Sequence, residues 1–322
     1  MPIALFAITA CTAMLIWVAY RSCKKAPTSS RQIRGNTQLN GQADAVGKFY
    51  DNTTDAFLQV YGEVIQAFRT KDVSGLLHHQ ASAMGLKPGM RLLDAGCGVC
   101  GPAIFFAKNY GVEVDAVTAS EKQAEIAAQK IEAEGMSHLV TVRKGDYHHL
   151  SSIFKKEHYD AVCFLESFGH SHDKAAAIHS AWEVLKPGGL LYIKDLFIKE
   201  SMIPEHKKII RENVNKINAA YRYNVGDLYD VMAHIRLKGF ILSAIRTIDI
   251  KLEDFENLTI SNQFQELTGI HRIDNLQSYL FPVDFFELTC LRPWYDPKKG
   301  NSRYFMQNLY YLQVLNKAEH EL

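Results

Sequence analysis

The feature that most constrains this chain is a glycine-rich run, LLDAGCGVCG at residues 92–101, placed between a strand pattern and a helical pattern. Gly96, Gly98 and Gly101 satisfy the spacing G-x-G-x-x-G, which allows a tight turn and close approach of a ligand to the backbone. Because the amides that open a helix attract anions, the spacing alone is typical of a dinucleotide site. The run therefore predicts a nucleotide-binding turn between a strand and a helix.

Asp94, two residues before Gly96, narrows the choice of ligand. A carboxylate at this position repels a pyrophosphate and attracts a cationic amino-acid group. A ligand that carries both an ammonium and a sulfonium suits the loop better. Cys97 and Cys100 form a C-x-x-C pair that could indicate metal or redox chemistry, but no second ligand pair accompanies it, so we predict no metal site.

Strand-like and helical segments alternate through the middle of the chain, with a helix after the second strand that Ser120 opens and Gln123 caps. A later helix places Ile178, Ala181 and Leu185 on one face. This repetition predicts an α/β fold, a Rossmann-like and mostly parallel sheet with helices on both faces. The predicted strands are residues 91–94, 112–117, 140–143, 161–165 and 190–194, the last one after a Lys-Pro-Gly-Gly turn.

Further elements are expected on either side of this alternation. Apolar residues recur at helical spacing ahead of it and predict an amphipathic helix. After the fifth strand we expect a helical cap insertion at about residues 200–290, with a strand-like run at residues 240–250 and a last strand at residues 310–316 that closes an antiparallel hairpin. The residues of the amphipathic helix are Phe57, Tyr61, Val64, Ile65 and Phe68.

The amino terminus carries an uncharged apolar run, residues 3–20, close to the shortest helix that crosses a bilayer. Arg21, Lys24 and Lys25 follow it, and positive charge stays on the cytoplasmic side. We expect a single-pass transmembrane anchor at residues 1–21 and the folded domain in the cytosol, at the endoplasmic reticulum in a eukaryotic cell. A cleaved signal peptide and a buried soluble helix are the alternatives.

The rest of the chain divides into a linker and a domain. Residues 22–44 are polar and predict a flexible tether, and the folded domain is expected at residues 45–322. The net charge is +1 and the basic residues are spread along the sequence, so no nucleic-acid partner is expected. The six cysteines are few for 322 residues and suggest a reduced, cytosolic compartment.

The chemistry is expected at the carboxyl end of the fourth strand, where the chain reads LESFGHSHDK. Glu166 can stabilise a developing cation in a water-poor site, and His170 or His172 can take a proton at neutral pH. The plainer alternatives make Glu166 an acid near a helix start and both histidines surface residues.

The run LLDAGCG together with the KPGG turn resembles the class I S-adenosylmethionine (SAM) dependent methyltransferases. The resemblance implies that SAM is the cofactor, and that Asp94, Gly96, Cys97 and Gly98 lie along its methionine part. It also implies that Asp146 contacts the adenine amino group. The second strand departs from the common pattern, since an acid for the ribose is replaced by V-T-x-S-x-x-Q, in which Thr118 and Gln123 would face the ribose.

The segment from Glu166 to the KPGG turn, with E-x-x-x-H and D-K, resembles the sterol C-methyltransferases, and parts of it are similar to the prenyl diphosphate C-methyltransferases. Residues 48–55 (KFYDNTTD) are similar to the sterol group's Y-Y-D-x-x-T-D, but the W-G signature expected next is absent. The resemblance implies methylation of an alkene carbon of a hydrophobic isoprenoid through a carbocation. Tyr50 is the aromatic residue expected to hold that cation.

Two other functions remain open from the sequence. A methyltransferase acting on oxygen or nitrogen of a membrane lipid or quinone shares every motif up to the fourth strand, and Glu166 would then orient a hydroxyl group. A catalytically dead lipid-binding module is disfavoured because Asp94, Gly96 and Gly98 are intact.

Overall fold

The computed structural model describes residues 36–66, 72–247 and 280–294. Seven strands within them are hydrogen-bonded into one mixed sheet. The strands are β1 (Arg91–Ala95), β2 (Glu113–Thr118), β3 (Val140–Lys144), β4 (Tyr159–Leu165), β5 (Leu185–Ile198), β6 (Ile241–Thr247) and β7 (Val283–Leu291). Their order across the sheet is β3-β2-β1-β4-β5-β7-β6. The first five strands are parallel, and β7 pairs antiparallel with both β5 and β6.

The helices of the described residues alternate with these strands, and two short 3₁₀ turns, Tyr147–His149 and Phe168–His170, lie between elements. They are α1 (Asn36–Tyr61), α2 (Val73–Ala83), α3 (Gly101–Tyr110), α4 (Glu121–Ala133), α5 (Leu150–Ile153), α6 (Lys174–Val184), α7 (Pro204–Tyr221) and α8 (Leu228–Lys238). The alternation of strands and helices confirms the predicted Rossmann-like α/β fold.

The sheet is covered on both faces because its strands are apolar on both sides. Leu92 packs with side chains of α2, α3 and α4, whereas its neighbour Leu93 points to the opposite face and packs with side chains of α5, α6 and α8. Successive residues of a strand point to opposite faces, so a strand covered on both faces is apolar at nearly every position. Because these strands are parallel, the carboxyl ends of β1, β2, β4 and β5 lie at one edge of the sheet. A ligand can bind outside that edge.

The amphipathic helix differs from its prediction at both ends. α1 begins at Asn36, inside the tether predicted at residues 22–44, and it ends at Tyr61. Val64 and Ile65 therefore follow the helix in an irregular segment, and Phe68 lies outside the described residues. Tyr50, which the sequence placed before the apolar stripe, packs with Phe57 and Tyr61 on it.

The fifth strand is longer than predicted. The sequence predicted a helix that includes Leu185 and a KPGG turn before a strand at residues 190–194, but α6 ends at Val184 and β5 runs from Leu185 through the turn. The pairing of β4 with β5 shifts register there, which accommodates the turn as an irregularity within the strand. Gly188 has a φ of 83°, and a Cβ there would lie 2.4 Å from Trp294.

The closing hairpin has a different second strand from the predicted one. β6 agrees with the strand-like run at residues 240–250, whose last three residues lie outside the described part. Its antiparallel partner is β7, inside the predicted cap insertion at residues 200–290. The predicted last strand at residues 310–316 lies outside the described residues. α7 supplies a helix of the predicted insertion.

The predicted transmembrane anchor, residues 1–21, also lies outside the described residues. Within the part of the chain that the structure describes, every helix is too short or too polar to cross a bilayer.

Candidate active site

A cavity opens at the carboxyl edge of the parallel strands. It contains about 700 Å³ of space, counting its open mouth. Of the candidate site residues that sequence analysis selected, Asp146 and His172 do not line it. The lining residues are Val46, Tyr50, Glu63, Ile65, Gln66, Asp94, Gly96, Cys97, Gly98, Val99, Pro102, Thr118, Ala119, Gln123, Tyr147, Leu165, Glu166, Ser167 and His170.

The glycine loop has a shape that side chains would disrupt. Gly96 has a φ of 93°, and a Cβ added there would lie 2.3 Å from the Cβ of Ser167. Gly98 has a φ of 55°, which also favours glycine. The amides of Gly96 and Cys97 donate to the carbonyl oxygen of Val117 at 2.8 and 3.0 Å, tying the loop to β2. The loop therefore brings bare backbone to the cavity wall.

Asp94 at the end of β1 presents an unsatisfied carboxyl group. Its side chain is buried, Oδ1 accepts from the Cys163 thiol at 3.7 Å, and Oδ2 has no hydrogen-bond partner. Burial raises the pKa of Asp94 to about 7, with the Cys163 contact opposing the rise. A buried acceptor without a partner is costly unless a ligand satisfies it. Asp94 thus marks a place for a cationic or hydrogen-bonding group.

Thr118 and Gln123 form a polar patch on the same wall. The Thr118 hydroxyl donates to the side-chain Oε1 of Gln123 at 2.8 Å. The backbone amide of Gln123 donates to the hydroxyl of Ser120, which caps α4 as predicted. Sequence analysis missed Asp51, which accepts from the Ser120 hydroxyl at 2.6 Å and from the amide of Lys122 at 3.1 Å. Asp51 therefore joins α1 to the start of α4.

Asp146 lies away from the cavity wall, although its neighbour Tyr147 lines it. Burial raises the pKa of Asp146, but hydrogen bonds from His148 outweigh that effect and the net pKa is lowered. Those bonds come from the His148 amide at 2.9 Å and from its ring Nδ1 at 2.5 Å. The structure thus does not bring Asp146 to the other selected residues, and its contact with adenine stays a prediction.

Glu166, which follows β4, is paired with a lysine that sequence analysis did not select. Its carboxylate forms an ion pair with the ammonium group of Lys194 on β5, and both side chains are almost fully buried. Glu166 adopts a φ of 55°, a backbone strain of the kind that clusters at functional sites. A charged residue inside the apolar run LLYIKDLF was the available signal, because a buried lysine needs a partner.

His170 and Tyr50 form the second polar pair. Nδ1 of His170 lies 3.2 Å from the carbonyl oxygen of Arg222, so Nδ1 carries the hydrogen and donates it. Nε2 is then the acceptor of the Tyr50 hydroxyl hydrogen at 2.8 Å. Burial lowers the pKa of His170 to about 4, so its ring is neutral at neutral pH. Burial likewise raises the pKa of Tyr50.

Two details correct the expectations for the two candidate bases, His170 and His172. His170 is a weaker base than the histidine expected from the sequence, because desolvation disfavours its charged form. His172, the other candidate base, does not line the cavity, and its ring lies 4.0 Å from that of His148. Of the two histidines, His170 is thus the one at the site.

Comparison with known proteins agrees with this geometry. Residues 76–217 match the mycolic acid cyclopropane synthetase family. The chain is 31% identical to 27-O-demethylrifamycin SV methyltransferase of Amycolatopsis mediterranei over 202 residues, which cover 60% of this chain and 72% of that protein. It is 34% identical to a sterol 24-C-methyltransferase of Aspergillus fumigatus over 135 residues, 41% of this chain and 35% of the relative. The chain belongs to the class I SAM-dependent methyltransferases.

A solved structure shares the fold of this methyltransferase. Geranyl diphosphate C-methyltransferase of Streptomyces coelicolor superposes with a TM-score of 0.55 at 18% identity, over 68% of this chain and 79% of that one. The sterol methyltransferases that the sequence matches are longer proteins, and the chain spans between 35% and 61% of their lengths.

SAM fits the site of this methyltransferase, and when bound it supplies a methyl group on a positively charged sulfur. The unpartnered Oδ2 of Asp94 suits its ammonium group, and the bare backbone at Gly96 and Gly98 allows close approach. Thr118 and Gln123 offer the polar groups predicted for the ribose. The individual contacts remain predictions.

Proposed function

We propose that this methyltransferase adds a methyl group to an alkene carbon of an isoprenoid lipid, a sterol, triterpene or prenyl diphosphate, through a carbocation. The observation that carries the proposal is the set of groups facing one cavity. Glu166 and the Tyr50–His170 pair line the same space as Asp94 and the glycine loop. The cavity therefore combines a site for the methyl donor with groups that can stabilise a carbocation and accept the proton lost from the neighbouring carbon.

The first step leaves a positive charge on the acceptor. The π electrons of the alkene form the new carbon–methyl bond, the carbon–sulfur bond breaks toward sulfur, and the neighbouring carbon becomes cationic. The Glu166 carboxylate and the faces of Tyr50 and Tyr147 offer fixed negative charge density to that carbon. Because Lys194 is paired with Glu166, the two present a preformed dipole rather than an isolated charge.

The second step removes a proton from a carbon next to the cation. The C–H electrons form the new double bond, the proton passes to the Tyr50 oxygen, and the Tyr50 hydroxyl proton moves to Nε2 of His170. A hydrogen next to a carbocation is very acidic, so a neutral imidazole with a pKa of about 4 is a sufficient base. The Tyr50 hydroxyl also covers the Nε2 lone pair, which protects that nitrogen from methylation.

The activities of the relatives support this substrate class. Several sequence relatives are sterol 24-C-methyltransferases, and solved structures of the same fold include geranyl diphosphate methyltransferases. Their acceptors are hydrophobic isoprenoids. The predicted hydrophobic small-molecule substrate is of this kind.

Methyl-labelled SAM tests the proposal. The full chain is incubated with labelled SAM and separate samples of a sterol with a side-chain alkene, a squalene-type triterpene and a prenyl diphosphate, and the lipids are analysed by mass spectrometry. We expect label in at least one alkene, with Glu166→Gln as the inactive control. Label found only in a quinone or phospholipid sample run in parallel would reject the proposal.

Oxygen methylation is the second candidate, because the rifamycin relative is 31% identical and is covered over 72% of its length. The Tyr50–His170 pair would then deprotonate a hydroxyl acceptor. His170→Ala separates the two reactions. An oxygen methyltransferase loses rate and yields the same product, whereas carbon methylation through a cation releases alcohols or shifted alkenes.

We also propose that residues 1–21 hold the chain in a membrane with the catalytic domain in the cytosol. The support is the apolar run at residues 3–20 and the basic residues after it. The exposed Asn52 lies in the sequon Asn-Thr-Thr and serves as a reporter of topology. Extraction by alkaline carbonate would contradict the anchor, and a glycan on Asn52 in a eukaryotic host would contradict the orientation.

A further inference from the structure

Lys194 is the buried cation closest to the chemistry. Its side chain is 0% exposed, and its ammonium group is paired with Glu166, which is 3% exposed. The backbone joins the same two residues, because the amide of Glu166 donates to the carbonyl oxygen of Lys194 at 2.7 Å. Lys194 therefore contacts Glu166 through both its side chain and its backbone.

The same ammonium group reaches the segment that follows α1. Lys194 Nζ donates to Oε1 of Gln66 at 2.8 Å, and Gln66 exchanges side-chain hydrogen bonds with Gln80 on α2 at 2.7 and 3.3 Å. Gln66 lines the cavity beside Glu166. Lys194 thus holds the catalytic carboxylate and a wall of the cavity at once.

Burial explains why the carboxylate needs such a partner. A buried carboxyl group without a compensating charge takes up a proton, and it loses the charge that the proposed reaction uses. An uncompensated carboxylate is also a nucleophile that can attack the methyl donor or the acceptor cation. Other ionisable groups that influence the pair electrostatically are Asp195, Tyr50, Tyr223, Glu287 and His79.

We propose that Lys194 is a positioning residue that keeps Glu166 ionised and compensates its charge, so that the site accepts an uncharged acceptor rather than an amine cation. A bare carboxylate would bind a protonated amine as firmly as it stabilises a transient cation. The ion pair weakens the attraction of the site for an acceptor that is already cationic. The site then stabilises positive charge on the acceptor only when that charge develops in the transition state. The inference deepens the proposed function and rests on it for the acceptor.

Infrared spectroscopy tests the charge without any acceptor. The spectrum of the parent minus that of Glu166→Gln isolates the Glu166 bands, and the same subtraction is made between Lys194→Met and the double variant. We expect a carboxylate band in the parent at pH 7. In Lys194→Met we expect a carboxylic-acid band and a protonation midpoint higher than in the parent, because the compensating charge is lost.

Lys174→Met is the matched control, because Lys174 is a partly buried lysine that donates to backbone carbonyl groups of Phe168, Gly169 and Ser171. The Glu166 bands of the Lys174→Met variant should match those of the parent. If Lys194→Met does not fold, Lys194→Gln replaces it with the same expectation. A carboxylate band that persists at an unchanged midpoint without Lys194 would refute the inference, and so would a protonated Glu166 in the parent.

Calorimetry tests the selection of acceptor charge. Dimethyldodecylamine and dodecanol are titrated into each protein in the presence of S-adenosylhomocysteine, at a pH where the infrared bands show Glu166 of Lys194→Met ionised and where the amine is still protonated. The parent should bind the amine no more than about threefold more tightly than the alcohol, and Lys194→Met at least about tenfold more tightly, a preference of about 1.4 kcal/mol. The double variant with Glu166→Gln should lose that preference.

The outcomes separate this inference from the proposed function. A parent that prefers the amine by tenfold, or a Lys194→Met variant without any gain, overturns the acceptor selection. Failure to methylate any alkene overturns the proposed function, whereas the infrared bands still decide what Lys194 does to Glu166.

Discussion

Replacing Asp94 tests the assignment of the glycine loop through the free-energy cost of its buried charge. Burial raises the pKa of Asp94 from 3.8 to about 7. The difference of roughly 3 units corresponds to about 4 kcal/mol of unfavourable free energy for the ionised group, since each unit is about 1.4 kcal/mol. A bound ammonium group recovers part of this cost. We therefore expect Asp94→Ala to weaken SAM binding by at least about a hundredfold, or about 3 kcal/mol.

Isothermal titration with three ligands locates the effect. SAM and S-adenosylhomocysteine carry the ammonium group and should lose affinity equally in Asp94→Ala, whereas methylthioadenosine lacks it and should bind as it does to the parent. Asp94→Asn, which keeps the shape of the side chain, should behave like the alanine variant. Binding of SAM within a few-fold of the parent by Asp94→Ala would refute the assignment.

The pH dependence gives an independent check on the same group. Below pH 7 the Asp94 carboxyl of the free protein is mostly protonated, and binding of an ammonium group must release that proton. Affinity for SAM should therefore fall by about tenfold for each pH unit below pH 7, and Asp94→Asn should show no such slope. A parent with a flat profile between pH 5 and pH 7 would contradict the raised pKa.

Three further predictions concern stability, turnover and SAM binding. Because the raised carboxyl pKa means that the folded state holds the Asp94 proton more tightly, stability without SAM should fall as pH rises from about 4 to about 7. Asp94→Asn should remove that fall in urea denaturation. Glu166→Gln should keep SAM affinity and lower turnover by about a hundredfold or more, about 3 kcal/mol of transition-state stabilisation, in a labelled-methyl assay. Gly96→Ala should abolish SAM binding by calorimetry because its Cβ meets Ser167, whereas Gly85→Ala, also at positive φ but with open space around it, should keep SAM binding.

Local patterns account for the parts of the fold that were predicted. The strand, the glycine loop and the helix after it are adjacent in sequence, and the turn at Gly96 depends on a backbone conformation that glycine favours. The cap of α4 by Ser120 likewise follows from residues three positions apart. Such features need no knowledge of the rest of the chain.

Long-range contacts explain the parts that were missed. The partner of Glu166, Lys194, lies 28 positions away and reaches it only because β4 and β5 pair in parallel. β7 was placed in a helical insertion, since the sequence does not show that this segment pairs with β5. The tautomer of His170 depends on a carbonyl group of Arg222 after α7, which no motif indicates.

The helix boundaries failed for a related reason. Apolar spacing continues past the end of α1 because, in an irregular segment, Val64 packs against the core and Ile65 lines the cavity. At the KPGG turn, pairing with β4 and the contact of Gly188 with Trp294 extend the strand through residues that favour a turn. Tertiary contacts outweighed local preference in both places.

The most direct test of carbon methylation is the chemical position of the transferred methyl group. The full chain is supplied with SAM carrying a ¹³C-labelled methyl group and with the isoprenoid that it methylates, and the product is examined by carbon NMR. A methyl carbon coupled to a neighbouring carbon of the acceptor chain is the expected result. A labelled methyl group attached to oxygen or nitrogen would contradict the account.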